Sequence, residues 1–372
     1  MVIKDALVFS DSKFQELDVE IQGDKIVNIA DKLYGDDEIS MKGSLLLPGF
    51  IDVHTHGRAG YDFSTATPEE IAKMCVSYAE NGVTSILATT MTMEFHKLKQ
   101  IMQNNRTAIE ANYPGSRILG INLEGPFLGP DRKGCHDEQY LLPIDQPKFE
   151  ELDTLSGGNI RLLDLDPNLP GAMEFIKEYS KKKTISLAHT SAGYDTACEA
   201  VNAGATHVTH LFNAMNSLHH REPGMIGMVV DYPVNAELIC EGIHVHPSVI
   251  RMMFRLIGER IVMISDSMSA AGLGAGEYEL GGLKVFVNQR KATLMDGTIA
   301  GSTTNLLEEV KNVVSFGLPL EDAIIAASKN PARAIRKEHE VGEIKVGLRA
   351  DFLVVSKEID LEQVYIGGKR FR

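Results

Sequence analysis

The chain has 372 residues with 37 basic and 51 acidic side chains, a formal net charge of −14 that argues against nucleic acid or an anionic membrane surface as main partner. Hydrophobic residues make up 44% and charged residues 24%, the composition of a soluble globular protein with a large core and not of a disordered chain. The length exceeds one usual domain but fits a (β/α)8 barrel of about 250 residues with a small companion.

The opening MVIKDALVFSDSKFQELDVEI alternates as strands do and lacks the uninterrupted apolar core of a signal peptide. Residues 2–9 and 18–29 read as short strands, and β character continues to Pro48. Nowhere do about 18 apolar residues follow one another. Cys75, Cys135, Cys198 and Cys240 form no C-x-x-C pair and suit a reducing compartment, so a cytoplasmic protein is expected.

From Pro48 to about Ala334, apolar runs alternate with stretches of helical spacing, the text of repeated βα units. The runs are FIDVHTH (50–56), VTSILATT (83–90), RILGINLEG (117–125), NIRLLDLD (159–166), TISLAHT (184–190), THVTHLF (206–212), AELICEGIH (236–244) and RIVMISDS (260–267). Eight such strands close a barrel. Helices are expected at 68–81, where Thr67 and Pro68 make a good start, and at 94–111, 171–183, 193–203, 247–257, 303–315 and 319–328. Residues 272–301 read as a β-hairpin excursion, and the strand-and-turn text from Gly342 to Gly368 pairs with the N-terminal strands. The expected fold is a (β/α)8 TIM-type barrel over 48–341, flanked by a small β-sandwich domain built from 1–47 and 342–372.

Polar residues gather at the C-terminal ends of the runs: His54 and His56 on the first, Glu124 on the third, His189 on the fifth, His210 on the sixth, His244 on the seventh and Asp266 on the eighth. Barrel enzymes build their active sites at that face. His54 and His56, two residues apart, point to one side of an extended strand and can clasp one metal. Glu124 stands where a strand gives way to Gly-Pro; its alternatives are a helix cap or a surface carboxylate. Each histidine alone could be an ordinary core residue, but together with carboxylates they form a donor set for Zn²⁺ or Fe²⁺. Asp266 can take a proton from an activated water and return it to a leaving nitrogen, or serve as a further ligand. The glycines of GLGAG (272–276) lack the context of a dinucleotide fingerprint, and KKK (181–183) reads as a solvated helix end.

PGFIDVHTHG (48–57), LEGPF (123–127) with KGCH (133–136), LAHTSAG (187–193), THLFNAM (209–215) with REPG (221–224), EGIHVHP (241–247) and SDSMSAAG (265–272) resemble the N-acetylglucosamine-6-phosphate deacetylases of the amidohydrolase superfamily, over nearly the whole chain. The resemblance implies Glu124, His189 and His210 as ligands of the principal metal and Asp266 as general acid/base. It makes His136 and His244 sugar contacts, with Asn213 and Ala214 nearby, and lets His136 polarise the acetyl carbonyl. Arg221 matches a phosphate-binding arginine that the family contributes across a homodimer interface. His54 and His56, missing in some members, leave room for one or two divalent metals (Zn, Fe, Mn or Co), with Glu124 bridging a pair. LLDLDPN (162–168) departs from the Pro-Glu turn expected there, and no lysine ends that strand to be carboxylated as a metal bridge. An amino-sugar phosphate is the expected substrate; another acetylated hexosamine phosphate of galactosamine type, or a catalytically inactive scaffold, are the alternatives.

Overall fold

The computed structural model describes residues 1–372. Eight parallel strands follow one another in sequence order around a barrel: β1 (Phe50–Asp52), β2 (Val83–Thr90), β3 (Arg117–Glu124), β4 (Ile160–Leu165), β5 (Thr184–Leu187), β6 (His207–Val208), β7 (Asn235–Leu238) and β8 (Ile261–Met263). The backbone ladder runs unbroken from β1 to β8. The seam between those two is joined just beyond the strands, where the Asp266 N–H donates to the His54 carbonyl at 3.0 Å and Ser265 donates from backbone and hydroxyl to Asp52.

The helices between strands start where the sequence signals them. Thr67 accepts from the Glu70 N–H at 3.3 Å while the Glu70 carboxylate accepts from the Thr67 N–H at 2.9 Å, a capping box that opens Pro68–Ala79. Such a cap is worth about 1 kcal/mol. The amphipathic faces pack on the outside of the strands around Phe127, Phe149 and Phe175, whose rings sit 5.3–5.8 Å apart. Three further helices, Gln146–Leu155, Gly224–Asp231 and Lys329–Ala334, were not expected. The last brings Ala332, Ala334 and Ile335 against the inward residues Ile51, Leu87, Leu162 and Val262, filling the base of the barrel.

The excursion after β8 is a four-stranded meander, Gly276–Leu280 to Ile299–Ser302, larger than the hairpin expected. Both chain ends form a β-sandwich. A six-stranded sheet takes Leu7–Ser10, Lys13–Glu16 and Leu45–Pro48 from the N-terminal side and Phe352–Val355, Leu361–Ile366 and Lys369–Arg370 from the other. It shares a core of Ile3, Val8, Val19, Leu46 and Phe352 with a four-stranded sheet of N-terminal strands. No helix is long and apolar enough to cross a membrane.

Candidate metal centre and active site

The strands stop earlier than the apolar runs suggested, and the chain turns sharply at the site. His189 (φ 45°), His210 (φ 26°) and Asp266 (φ 46°) lie just past β5, β6 and β8 in left-handed conformations that side chains of this kind adopt at an energetic cost. β6 is only two residues long because the chain leaves the sheet at Thr209 to present His210. Flanking bonds hold these turns: the Leu211 N–H donates to the Glu237 carbonyl at 2.8 Å, and the Thr190 hydroxyl donates to Asp166. Asp166, in the segment that lacks the expected Pro-Glu turn, thus braces the chain next to His189.

Glu124, at the end of β3, is the hub. Its Oε1 lies 3.1 Å from His189 Nε2, 3.2 Å from His210 Nε2 and 3.5 Å from His54 Nε2. Its Oε2 lies 3.3 Å from His56 Nε2 and 3.4 Å from His136 Nε2. Asp266 closes the other side, its Oδ1 3.2 Å from His56 and 3.7 Å from His54. All of these side chains are buried.

Neighbouring groups fix which ring nitrogen carries the proton. His189 Nδ1 stands 2.9 Å from the Arg132 carbonyl, which can only accept, so Nδ1 carries a proton and the neutral ring has a bare Nε2. That bare lone pair faces the Glu124 carboxylate and, at 3.1 Å, His210 Nε2. Acceptors set against one another in a buried space call for a cation between them. His54 repeats the pattern, with Nδ1 2.9 Å from Glu237 and Nε2 buried without a hydrogen-bond partner. His136 is the opposite case. Its Nδ1 accepts from the Thr92 N–H at 3.2 Å, so Nε2 carries hydrogen and points into the site as a donor.

The donor set therefore fits a divalent metal, and three overlapping groups, His54–Glu124–His210, His54–His56–Asp266 and Glu124–His136–His189, bring ligand atoms close enough to share one ion each. Burial works to raise the Asp266 and Glu124 pKa values, but the imidazoles outweigh it. The hydrogen bond from His56, with His54 and His210 beside it, holds Asp266 below the ordinary range, and His54 together with the hydrogen bond from the His136 Nε2–H holds Glu124 well below it. Burial lowers His136 to about 4, which keeps the imidazole neutral at physiological pH.

The family pattern of the amidohydrolases matches residues 45–371. The chain belongs to the amidohydrolase family. The N-acetylglucosamine-6-phosphate deacetylase of Bacillus subtilis is 37% identical to it, over 86% of this chain and 82% of that one. The N-acetylgalactosamine-6-phosphate deacetylase of Escherichia coli O157:H7 is 33% identical over 87% of each. Among solved structures, a point mutant of the Mycobacterium smegmatis N-acetyl-D-glucosamine-6-phosphate deacetylase in complex with N-acetyl-D-glucosamine-6-phosphate superposes with a TM-score of 0.94 at 29% identity, covering 100% of this chain and 99% of that one.

In this amidohydrolase the cluster forms the floor of a cavity of about 530 Å³. Asn213, Ala214 and His244 line it as well, with the Glu241 carboxylate accepting from His244 Nδ1 at 2.5 Å. Arg132 and Lys133 add positive charge at the rim. Arg221 does not reach the cavity of its own chain: it is exposed, 2.7 Å from His220, beside a separate hollow with Tyr194 and Asn216. Glu237 and His207, which the pattern of run ends does not single out, sit behind His54. Their signal was a carboxylate inside the otherwise apolar run AELIC and a histidine two residues after Ala205.

Proposed function

We propose that this amidohydrolase hydrolyses the acetamide of N-acetyl-D-glucosamine 6-phosphate to D-glucosamine 6-phosphate and acetate. The observation that carries the reading is the buried set of His54, His56, His189 and His210 gathered around Glu124, in a chain whose 37%-identical relative bears the corresponding name. Glu124, His189 and His210 would hold the principal metal, and His54 and His56, with Glu124 shared, would hold a second. One or two ions of Zn²⁺, Fe²⁺, Mn²⁺ or Co²⁺ suit such donors. When bound, a metal of this class acidifies water and polarises the carbonyl.

Asp266, ionised at neutral pH, takes the proton of the attacking water as its oxygen bonds to the carbonyl carbon. The His136 Nε2–H stabilises the oxyanion that develops. Asp266 then gives the proton to the amine nitrogen as the C–N bond breaks. His244, Asn213 and the Ala214 backbone would orient the sugar. Arg221 would clamp the phosphate bidentately from the other protomer of a homodimer, a role suited to a guanidinium that stands clear of its own cavity. We assign residues 1–47 and 342–372 to the small domain, 48–341 to the barrel, and the protein to the cytoplasm.

A second reading, preference for the galactosamine epimer, is favoured by the 33%-identical relative named for it. Steady-state kinetics on both epimers separates the two. A higher kcat/KM for the gluco substrate supports the proposal, and a higher value for the galacto substrate replaces it.

A further inference from the structure

We propose that Glu237, fully buried and outside the lining of the cavity, is the positioning residue that makes the first-strand histidines a metal site. The inference rests on the reading of His54 and His56 as ligands. Glu237 stands on β7 and is completely buried, as are His54 and His207 on either side of it. Its Oε2 accepts from His54 Nδ1 at 2.9 Å and from the His210 N–H at 3.1 Å, while its Oε1 lies 3.1 Å from His207 Nε2. One carboxylate thus ties β1, β6 and β7 together behind the site.

Two consequences follow from the atoms involved. An ionised carboxylate can only accept, so His54 must carry its proton on Nδ1, and its Nε2 lone pair is directed at Glu124 and Asp266. A second acceptor contact on the same oxygen sets the distance between the His54 ring and the His210 main chain. His210 keeps other support, since the Leu211 N–H donates to the Glu237 carbonyl at 2.8 Å. Loss of the carboxylate therefore falls mainly on His54.

Position and charge can be separated. Glu237→Gln keeps an oxygen where Oε2 is; its amide nitrogen then faces His207, whose Nδ1 is buried without a partner, so that ring can exchange tautomers and accept from Nε2–H₂. Glu237→Asp keeps the charge but withdraws the oxygens by one methylene, out of reach of His54. The test uses full-length metal-free protein titrated with Co²⁺, following visible absorbance and bound metal per chain, with the melting temperature of each metal-free variant as a check on folding.

Wild type is expected to bind two ions. Glu237→Asp should weaken the second by about 10- to 100-fold, the usual effect of losing a partner behind a metal-binding histidine, while Glu237→Gln stays close to wild type. A role confined to stability would lower the melting temperature of the variants without moving the second binding constant. Two ions bound with unchanged affinity in Glu237→Asp, or a loss in Glu237→Gln equal to that in Glu237→Asp, overturns the inference alone. A wild type that binds a single ion at saturation overturns instead the reading of His54 and His56 on which it rests.

Discussion

Replacing His136 by phenylalanine separates a hydrogen-bond donor from a metal ligand at one position. The ring packs edge-on to His189, with centroids 4.6 Å apart, and its Nε2 lies as near Glu124 as the proposed ligands do, so distance alone does not distinguish it from them. The Thr92 N–H on Nδ1 does, because it forces the Nε2–H tautomer. Phenylalanine preserves most of the volume and removes both nitrogens. The Thr92 N–H then loses its acceptor in a buried setting, which costs about 1–3 kcal/mol of stability. Loss of one donor to a developing oxyanion lowers kcat by about 10²–10³, or roughly 2.7–4 kcal/mol in the barrier. Metal content should not change. The assay is acetate release from N-acetyl-D-glucosamine 6-phosphate under saturating substrate, paired with elemental analysis of the same preparation. If His136→Phe lost metal in proportion to activity, His136 would be a ligand and the tautomer argument would be wrong.

Asp266→Asn should lower kcat by about 10²–10⁴, the usual contribution of a positioned acid/base, with metal retained; metal lost in step with activity would make Asp266 a ligand. Arg221→Met should raise KM for the phosphorylated substrate by about tenfold or more, a charged hydrogen bond being worth about 1.5–3 kcal/mol, and co-expression with Asp266→Asn chains should restore part of the activity if the guanidinium acts across a dimer interface. No recovery in mixed dimers would place its action within one chain. Away from the site, burial tends to raise Glu340, but hydrogen bonds from Lys337 and Arg117 hold it at about 2. This depressed carboxylate stabilises the fold above its unfolded pKa of about 4.3 and loses that contribution as pH falls through about 2. Glu340→Gln should therefore cost about 1–2 kcal/mol at pH 7, allowing for solvent screening of a half-buried pair, and nearly nothing near pH 2, as read from denaturant unfolding at the two pH values.

The barrel was legible because its strands are short apolar runs separated by helical spacing, and its functional face because histidines and carboxylates ended those runs. The lengths were not. His189, His210 and Asp266 sit in left-handed turns that cut the strands short, and periodicity carries no sign of a positive φ at a non-glycine residue. Gly224–Asp231 was missed because GMIGMVVD is apolar all round and offers no helical stripe. Lys329–Ala334 is too short to show a period, although Asn330 at its start donates to the Ile261 carbonyl at 2.7 Å and anchors it beneath β8. Glu237 and His207 escaped notice for a different reason. They come before the C-terminal ends of their apolar runs, and only the folded chain brings them behind His54. Arg221 stood out through resemblance alone, and its exposure fits a residue whose task lies outside its own cavity.

On the proposed function, metal held around Glu124 is required for acetamide hydrolysis. The direct measurement is acetate release from N-acetyl-D-glucosamine 6-phosphate by metal-stripped protein to which Zn²⁺, Fe²⁺, Mn²⁺ or Co²⁺ is returned stepwise. No turnover is expected in the stripped protein, with recovery that follows the number of ions bound per chain. Hydrolysis at an undiminished rate by the stripped protein, or none by the fully loaded one, would contradict the proposed function.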